Sequence, residues 1–287
     1  MQKIKVSELF YSLQGEGRWV GVPSVFLRTF GCNLTCAGFG CAPGEKSTEA
    51  DEIAKQVHLY KEINDLPLAK TGCDSYMSWH PAFKHLSPNY TTEELAEKMV
   101  ALTPNNYWVQ NNYNDVHLVI TGGEPLLGWQ RAYAELLEQP KMFDLRNITF
   151  ETNGTQELRK DFVEYLGEWC KRDPKREVTF SVSAKMSSSG EDLNDTIKPE
   201  IVASYEKVGF TYLKFVVETE EHFNEIVGHV DKYRAAGFAG PVYIMPVGGT
   251  VASYDKNRTP IADLALQRGY YYSPRLHVDL WANGWAR

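Results

Sequence analysis

The sequence predicts an α/β protein built around a parallel sheet. Apolar, strand-like runs alternate with helix-like segments through most of the chain. Polar and glycine-rich stretches come directly after several of these runs, which is where parallel α/β barrels build their sites. The 287 residues suffice for one large domain, and the sequence shows no internal repeat. We therefore expect a single domain over residues 1–287.

The predicted elements follow one another regularly along the chain. The first two strands cover residues 6–13 and 23–28, and both are followed by glycine-containing loops. Later strands are predicted at residues 117–121, 147–151, 177–183, 210–217 and 241–245. Helices are predicted at residues 91–102, 131–137, 158–170, 199–208 and 220–236, the first of them behind a capping-box pattern.

Composition and charge exclude several classes of protein. The net charge of −7 argues against a general nucleic-acid binder, which usually carries a basic face. No apolar run approaches the roughly 20 residues that a membrane span needs. The first residues carry no apolar signal core. We expect a cytoplasmic protein that binds neither nucleic acid nor membrane.

The cysteines point to a metal or cluster site. An odd number, five, in a chain without an export signal disfavours a disulfide framework. Cys32 and Cys36 share one tight turn, so both sulfurs can face one metal centre. Three thiolates on an iron–sulfur cluster would leave one iron open, whereas structural zinc needs four ligands. The four candidates are Cys32, Cys36, Cys41 and Cys73, and Cys170 reads as a small buried hydrophobic residue.

Two further segments frame this cysteine region. Residues 37–72 form a predicted insert, with a helix over residues 47–66 that can bring Cys73 back beside Cys36. The tail, about residues 270–287, is more aromatic than a disordered tail, and it carries His277, Trp281 and Trp285. We expect this tail to be ordered and packed on the domain.

Two motifs resemble the radical S-adenosylmethionine superfamily: Cys32-Asn33-Leu34-Thr35-Cys36, and Thr121-Gly122-Gly123-Glu124-Pro125. Within it, the runs at residues 13–17, 26–28, 31–34, 73–75, 151–155 and 213–217 resemble the 7-carboxy-7-deazaguanine synthase family. These motifs occur in order over nearly the whole chain. The resemblance implies an incomplete parallel βα barrel with a helical insert after the first cysteine pair.

The resemblance also implies a set of site residues. A [4Fe–4S] cluster would be held by Cys32, Cys36 and Cys73, and its open iron would bind S-adenosylmethionine. That cofactor would be contacted by Gly122, Gly123, Glu124, Glu151, Asn153, Ser183 and Lys185. The substrate would be bound by Leu13, Gln14, Gly15, Arg28 and Thr121, and Mg²⁺ would be held by Ser75.

The third cysteine departs from the superfamily spacing. That spacing would place it at position 39, which is Phe39 here. Cys41 and Cys73 are the two candidates. Cys73 is preferred because Asp74 and Ser75 follow it, as they follow the last ligand in the family. Cys41 has no such sequel.

The implied reaction converts 6-carboxy-5,6,7,8-tetrahydropterin to 7-carboxy-7-deazaguanine in 7-deazapurine (queuosine-type) biosynthesis. Implied partners are this small-molecule pterin, an electron donor such as flavodoxin or ferredoxin, and a second copy in a homodimer. The insert and the tail leave open another pterin or guanine-like substrate. Two alternatives are an activase that makes a glycyl radical on a partner protein and a zinc-stabilised binding module.

Overall fold

The computed structural model describes residues 1–110 and 114–286, so Arg287, the end of the predicted tail, lies outside the described residues. In this part of the chain nine strands form one sheet in the order β3-β1-β2-β4-β5-β6-β7-β8-β9. The strands are β1 (Lys3–Leu13), β2 (Pro23–Thr29), β3 (Asn89–Thr91), β4 (His117–Gly122), β5 (Asn147–Thr152), β6 (Glu177–Val182), β7 (Phe210–Val217), β8 (Val242–Pro246) and β9 (Tyr271–Tyr272). Strand β1 is antiparallel to both neighbours, and the pairs from β2–β4 to β8–β9 are parallel. The predicted α/β class is confirmed, with a sheet that is mostly rather than wholly parallel.

Helices lie between most of the successive strands. Those of the described residues are α1 (Glu49–Lys55), α2 (Thr92–Leu102), α3 (Gln130–Leu137), α4 (Lys160–Lys171), α5 (Leu193–Thr196), α6 (Pro199–Tyr205), α7 (Glu220–Ala235), α8 (Val251–Arg268) and α9 (Leu276–Trp281). Within residues 1–110 and 114–286, no helix has both the length and the apolar character that crossing a bilayer requires.

The two faces of the central strands have different chemistry. In β7, Leu213, Phe215 and Val217 belong to the main apolar core, which also contains buried residues of α2, α3, α4, α6 and α7. Lys214 lies between them in sequence and lines a cavity instead. Since successive side chains of a strand point to opposite faces, one face of this sheet packs on helices and the other carries polar groups.

The helix predicted over residues 47–66 is wrong in length, because α1 ends at Lys55. Further on, the Asp65 carboxylate accepts hydrogen bonds from the backbone N–H groups of Lys61, at 3.0 Å, and Glu62, at 3.1 Å. Such local bonds from an aspartate compete with helical hydrogen bonding. The remainder of this stretch forms short 3₁₀ turns.

The insert and the tail pack against each other. Beyond the main core, a second apolar cluster consists of Ile63, Leu66, Ala69, Tyr76, Met77 and Phe83. Trp285 of the tail packs on this cluster, and its indole Nε1 donates a hydrogen bond to the Leu66 carbonyl at 2.6 Å. The two segments around the cysteine region are therefore held together directly.

Candidate active site

A cavity of about 330 Å³ lies at the C-terminal ends of the parallel strands, where the loops after β2, β4, β5, β6 and β7 meet. All but one of the site residues expected from the sequence line it. They are Leu13, Gln14, Gly15, Arg28, Cys32, Cys36, Cys73, Ser75, Thr121, Gly122, Gly123, Glu151, Asn153, Ser183 and Lys185. The exception is Glu124, whose side chain is completely buried beneath the wall.

Three thiols reach the cavity from two ends of the insert. Cys32 and Cys36 come from the turn after β2, and Cys73 comes from the far end of the insert. Burial raises the pKa of Cys32 to about 12, and it also raises the pKa values of Cys36 and Cys73. Cys41 is not on the cavity wall, and its Sγ lies 3.7 Å from the Ala37 carbonyl oxygen.

The two glycines at the end of β4, Gly122 and Gly123, allow this strand to approach the cysteine turn. A Cβ on Gly123 would lie 2.5 Å from the Gly31 carbonyl oxygen and 2.6 Å from Cys32 Cβ. A Cβ on Gly122 would lie 2.5 Å from the Thr29 carbonyl oxygen. Both glycines are therefore required by close packing.

Replacing Gly123 with alanine is expected to destabilise the protein by about 1–3 kcal/mol, because the new methyl group meets backbone and a cysteine that cannot move freely. Gly167→Ala is the matched control. Apart from its own stretch of helix α4, nothing lies within 4 Å of the added methyl group there, and the change should stabilise by about 0.5–1 kcal/mol. Urea denaturation of both variants tests this, and equal stability of Gly123→Ala and the wild type would contradict it.

The buried Glu124 carboxylate holds together the loops that follow β4 and β5, beneath the cavity wall. It accepts hydrogen bonds from Thr152 Oγ1 at 2.8 Å, from the Asn153 N–H at 2.7 Å and from the Leu126 N–H at 3.0 Å. Burial raises the pKa of this carboxyl. Asn153 in turn donates to Asn33 Oδ1 at 3.0 Å, which joins the end of β5 to the cysteine turn.

A buried charge network forms another part of the wall. Lys214 Nζ lies 2.6 Å from Glu16 Oε2 and 3.0 Å from Glu151 Oε2, and its side chain is only 2% exposed. Burial opposes the charge on Lys214, but the two carboxylates outweigh burial and raise its pKa. Burial likewise favours neutral Glu16, yet Lys214 and Arg275 hold the pKa of Glu16 well below its usual range.

Arg275 extends this network to the insert. Its Nε lies 3.2 Å from Glu16 Oε1, and its Nη2 lies 3.0 Å from Asp74 Oδ2, next to Cys73. The carbonyl of Gly248 accepts a further hydrogen bond from its Nη1. One buried guanidinium thus connects the tail with the loop after β1 and with the cysteine-bearing end of the insert.

A second arginine of the cavity wall, Arg28, lies near the end of β2. Its Nε lies 2.7 Å from Glu8 Oε2, and its Nη1 donates to Ser75 Oγ at 3.1 Å. Glu8 Oε1 also accepts a hydrogen bond from the Ala286 N–H at 3.3 Å. The arginine and the tail are therefore tied to the same carboxylate.

The tail covers the cavity near the first loop. The Leu276 N–H donates to the Gly15 carbonyl at 2.9 Å, and His277 lines the cavity. A Cβ on Gly15 would lie 2.2 Å from His277 Nδ1, so only glycine fits there. Burial lowers the pKa of His277 to about 4, which makes the imidazole neutral at pH 7.

Sequence reasoning did not assign Glu16, Lys214 and Arg275 to the site. A signal existed for Lys214, because a lysine in the middle of an apolar strand must find a buried partner. Its partners are far away in sequence, and no pattern identifies them. Arg275 carries no comparable signal, because its neighbours in the sequence resemble an ordinary polar turn.

The mostly parallel α/β sheet brings three thiols to its strand ends, an arrangement that suits an enzyme of the radical S-adenosylmethionine class. A curated 7-carboxy-7-deazaguanine synthase from Halobacterium salinarum is 30% identical over 289 residues, covering 97% of this chain and 90% of the relative. A second from Pyrobaculum aerophilum is 27% identical and covers 98% of this chain and 96% of the relative. The chain belongs to the 7-carboxy-7-deazaguanine synthase family, although no family model matches it.

A solved structure supports the fold. The crystal structure of QueE from Escherichia coli superposes with a TM-score of 0.52 at 19% identity and covers 96% of this chain and 95% of that chain. This similarity confirms the predicted incomplete βα barrel.

Proposed function

We propose that the protein is a radical S-adenosylmethionine lyase that converts 6-carboxy-5,6,7,8-tetrahydropterin to 7-carboxy-7-deazaguanine. The ring contracts, and ammonia leaves. Product and ammonia together contain every atom of the substrate, so the reaction needs no net oxidant. The observation that most supports the proposal is that three thiols and several buried charges line one cavity. Thiolates are the usual ligands of iron–sulfur clusters, and charged side chains of the cavity wall can bind a small polar acid.

The donor set fits a [4Fe–4S] cluster with one open iron. Cys32, Cys36 and Cys73 are the thiolate type of ligand that such clusters use. In the described ranges no three His, Cys, Asp or Glu side chains converge tightly enough to hold one metal ion. When bound, S-adenosylmethionine supplies on reduction the 5′-deoxyadenosyl radical that removes a hydrogen atom from the substrate. Ligation needs thiolates, so these three side chains must release their protons when the cluster assembles.

The proposed S-adenosylmethionine contacts lie beside the thiols. Gly122 and Gly123 expose backbone groups that can bind the methionine end. Asn153, Ser183 and Lys185 follow β5 and β6, where they can reach the ribose or the carboxylate. Lys185 Nζ already donates to Ser183 Oγ at 3.0 Å, so the ammonium group is held on this wall. Glu124 supports the contact from behind through the Asn153 N–H.

The proposed substrate contacts line the same cavity. The backbone of Leu13, Gln14 and Gly15 can hydrogen-bond the edge of a pterin, with Thr121 as a further polar group. Arg28 can pair with the substrate carboxylate, because a guanidinium matches the geometry of a carboxylate. The Gln14 side chain is fixed by donating to Glu151 Oε1 at 3.1 Å.

The charge network offers a fixed positive charge for the step in which ammonia leaves. Lys214 is held as an ammonium between two carboxylates and lines the cavity. It can donate a hydrogen bond to a ring nitrogen of the substrate, and its charge can stabilise negative charge that develops there. The strong pairing with Glu16 and Glu151 keeps Lys214 protonated throughout. Neutral His277 adds a hydrogen-bonding group without adding charge.

Further parts of the proposal concern ions and partners. Mg²⁺ would bind Ser75 Oγ together with the substrate carboxylate, since hard cations prefer oxygen ligands. Ser75 Oγ lies 3.2 Å from Asp74 Oδ1, which adds negative charge near the site. A flavodoxin or ferredoxin would supply the electron. The protein would act in the cytoplasm and would form a homodimer.

Anaerobic turnover tests the proposal. Reconstituted protein incubated with 6-carboxytetrahydropterin, S-adenosylmethionine, Mg²⁺ and a reductant should form 7-carboxy-7-deazaguanine, with chromatography and mass spectrometry as the readout. The expected protein is brown and contains iron and sulfide. A control without reductant should form no product, because the radical is not generated.

Two outcomes would contradict the proposal at different levels. Cleavage to 5′-deoxyadenosine without carboxydeazaguanine would reject the substrate but keep the enzyme class. A colourless protein that binds zinc and takes up no cluster would reject both the substrate and the enzyme class. A partner-protein activase does not require the charge-lined cavity seen here, so we do not favour it.

A further inference from the structure

Glu191 lies outside the predicted site and contacts the cysteine turn directly. It follows β6 on the loop of residues 186–191. Its Oε1 accepts hydrogen bonds from the Thr35 N–H at 2.7 Å, from Thr35 Oγ1 at 2.8 Å and from the Cys36 N–H at 2.5 Å. Hydrogen bonds to an ionised acceptor are short and strong. One carboxylate oxygen therefore holds two consecutive residues of the turn.

The turn is strained at the residue that Glu191 holds. Cys36 has φ of 50°, in the left-handed region that residues with a Cβ rarely adopt. Such conformations persist where the surrounding structure holds them, and they cluster at functional sites. The side chain of Cys36 is buried at the cavity. The left-handed backbone sets the direction of its Sγ, so a group that stabilises this backbone also orients the thiol.

The loop that carries Glu191 is itself firmly placed. The Gly38 N–H donates to the Ser189 carbonyl at 2.8 Å, and a Cβ on Gly38 would lie 2.6 Å from the Gly190 nitrogen. The loop is tied to α7 as well, because Glu225 accepts bonds from the Ser187 N–H at 2.8 Å and from Ser187 Oγ at 2.5 Å. The loop thus links α7 to the cysteine turn.

We propose that Glu191 is a positioning residue that holds Cys36 in its left-handed conformation and orients its thiol toward the cluster position. The effect on the cluster rests on the proposed function, whereas the effect on the turn does not. Loss of the carboxylate should loosen the turn. It should also remove a negative charge next to a cluster ligand, and reduction potentials of clusters respond to local charge and hydrogen bonding.

Hydrogen exchange of the metal-free protein tests the contact with the turn. In the wild type, the Thr35 and Cys36 amides should exchange slowly. In Glu191→Gln they should exchange about tenfold faster or more, because hydrogen bonds to a charged acceptor are stronger than those to a neutral amide oxygen. Glu97→Gln, at an exposed glutamate of α2, is the matched control and should leave both amides unchanged.

Anaerobically reconstituted protein tests the effect on the cluster. Glu191→Gln should lose iron to a chelator several-fold faster than wild type and should show a more positive midpoint potential. Glu191→Asp keeps the charge and should restore part of both properties. A purely structural role would change iron retention without moving the potential in this way.

Several results would overturn this proposal. Unprotected Thr35 and Cys36 amides in the wild type would do so, even if Glu191→Gln failed to fold. Equal exchange rates of these two amides in Glu191→Gln and Glu97→Gln would also overturn it. So would equal midpoint potentials of the cluster in Glu191→Gln and the wild type. A wild type that takes up no cluster would instead reject the proposed function, and the exchange experiment would still decide the role of Glu191.

Discussion

The Cys73→Ala variant is expected to bind no stable cluster and to have no turnover. Cys73 supplies the third thiol on the cavity wall, together with Cys32 and Cys36 of the turn after β2. Two thiolates cannot hold a cluster that needs three protein ligands beside S-adenosylmethionine. Iron and sulfide per chain after anaerobic reconstitution should fall to about a tenth of wild type or less, and visible absorbance should fall with them.

Cys41→Ala is the matched control for this experiment. Cys41 lies in the same segment but off the cavity wall, beside the Ala37 carbonyl. Its replacement should leave iron content and turnover within about twofold of wild type, because an ordinary substitution away from the site has a small effect. Loss of iron with Cys41→Ala and retention with Cys73→Ala would reverse the assignment of the third ligand.

Replacing Lys214 with methionine should have the second large effect. The change removes the cation between Glu16 and Glu151, so Glu151 loses its ion pair while Glu16 keeps only Arg275. Breaking a buried ion pair by removing one partner typically costs about 3–5 kcal/mol. We expect a loss of stability of that size in urea denaturation, with turnover abolished because the substrate loses the ammonium group of Lys214.

A double variant separates the effect of Lys214 on stability from its effect on activity. Lys214→Met with Glu151→Gln should regain part of the lost stability, because one unpaired carboxylate is gone, yet it should stay inactive. Lys207→Met removes an exposed lysine and should change stability by less than about 0.5 kcal/mol. If Lys214→Met were as stable as Lys207→Met, the ion pairs would contribute nothing to the fold.

The same network predicts a pH dependence of wild-type stability. The folded pKa of Glu16 lies below the ordinary value of 4.5, so its stabilising contribution is present above that pH and is lost as the pH falls. The folded pKa of Lys214 lies above the ordinary value of 10.5, so its contribution is present below that pH and is lost as the pH rises further. The Lys214→Met variant should therefore show a smaller acid-dependent loss of stability than wild type.

Elements with regular hydrophobic patterns were predictable from the sequence. Strand β7 has the predicted bounds, and α2 begins at the predicted capping box formed by Thr91 and Glu94. Helix α8 was missed because Pro260 lies inside it, and proline normally interrupts a helix. The short α1 was overestimated because the sequence pattern does not show Asp65 binding the backbone of its neighbours.

The site was predictable where motifs are local in sequence. The Cys32–Cys36 turn comes soon after β2 and the two glycines stand at the end of β4, so their positions at the strand ends follow from the fold. Contacts such as those of Arg275 with Glu16 and of Lys214 with Glu151 join distant parts of the chain. They depend on side-chain directions that only the packed structure determines.

The docked tail also bears on how the protein folds. From β5 to β9 each strand pairs with the one before it, so this part of the sheet can grow along the chain with short loop closures. The tail instead joins residues near both ends: Ser273 accepts a bond from Gly17, 256 positions away, and Glu8 accepts one from Ala286, 278 positions away. Contacts of such separation carry the largest loop-closure entropy, so they form late. We therefore expect the cavity to be completed last in folding, when the tail docks on the finished sheet.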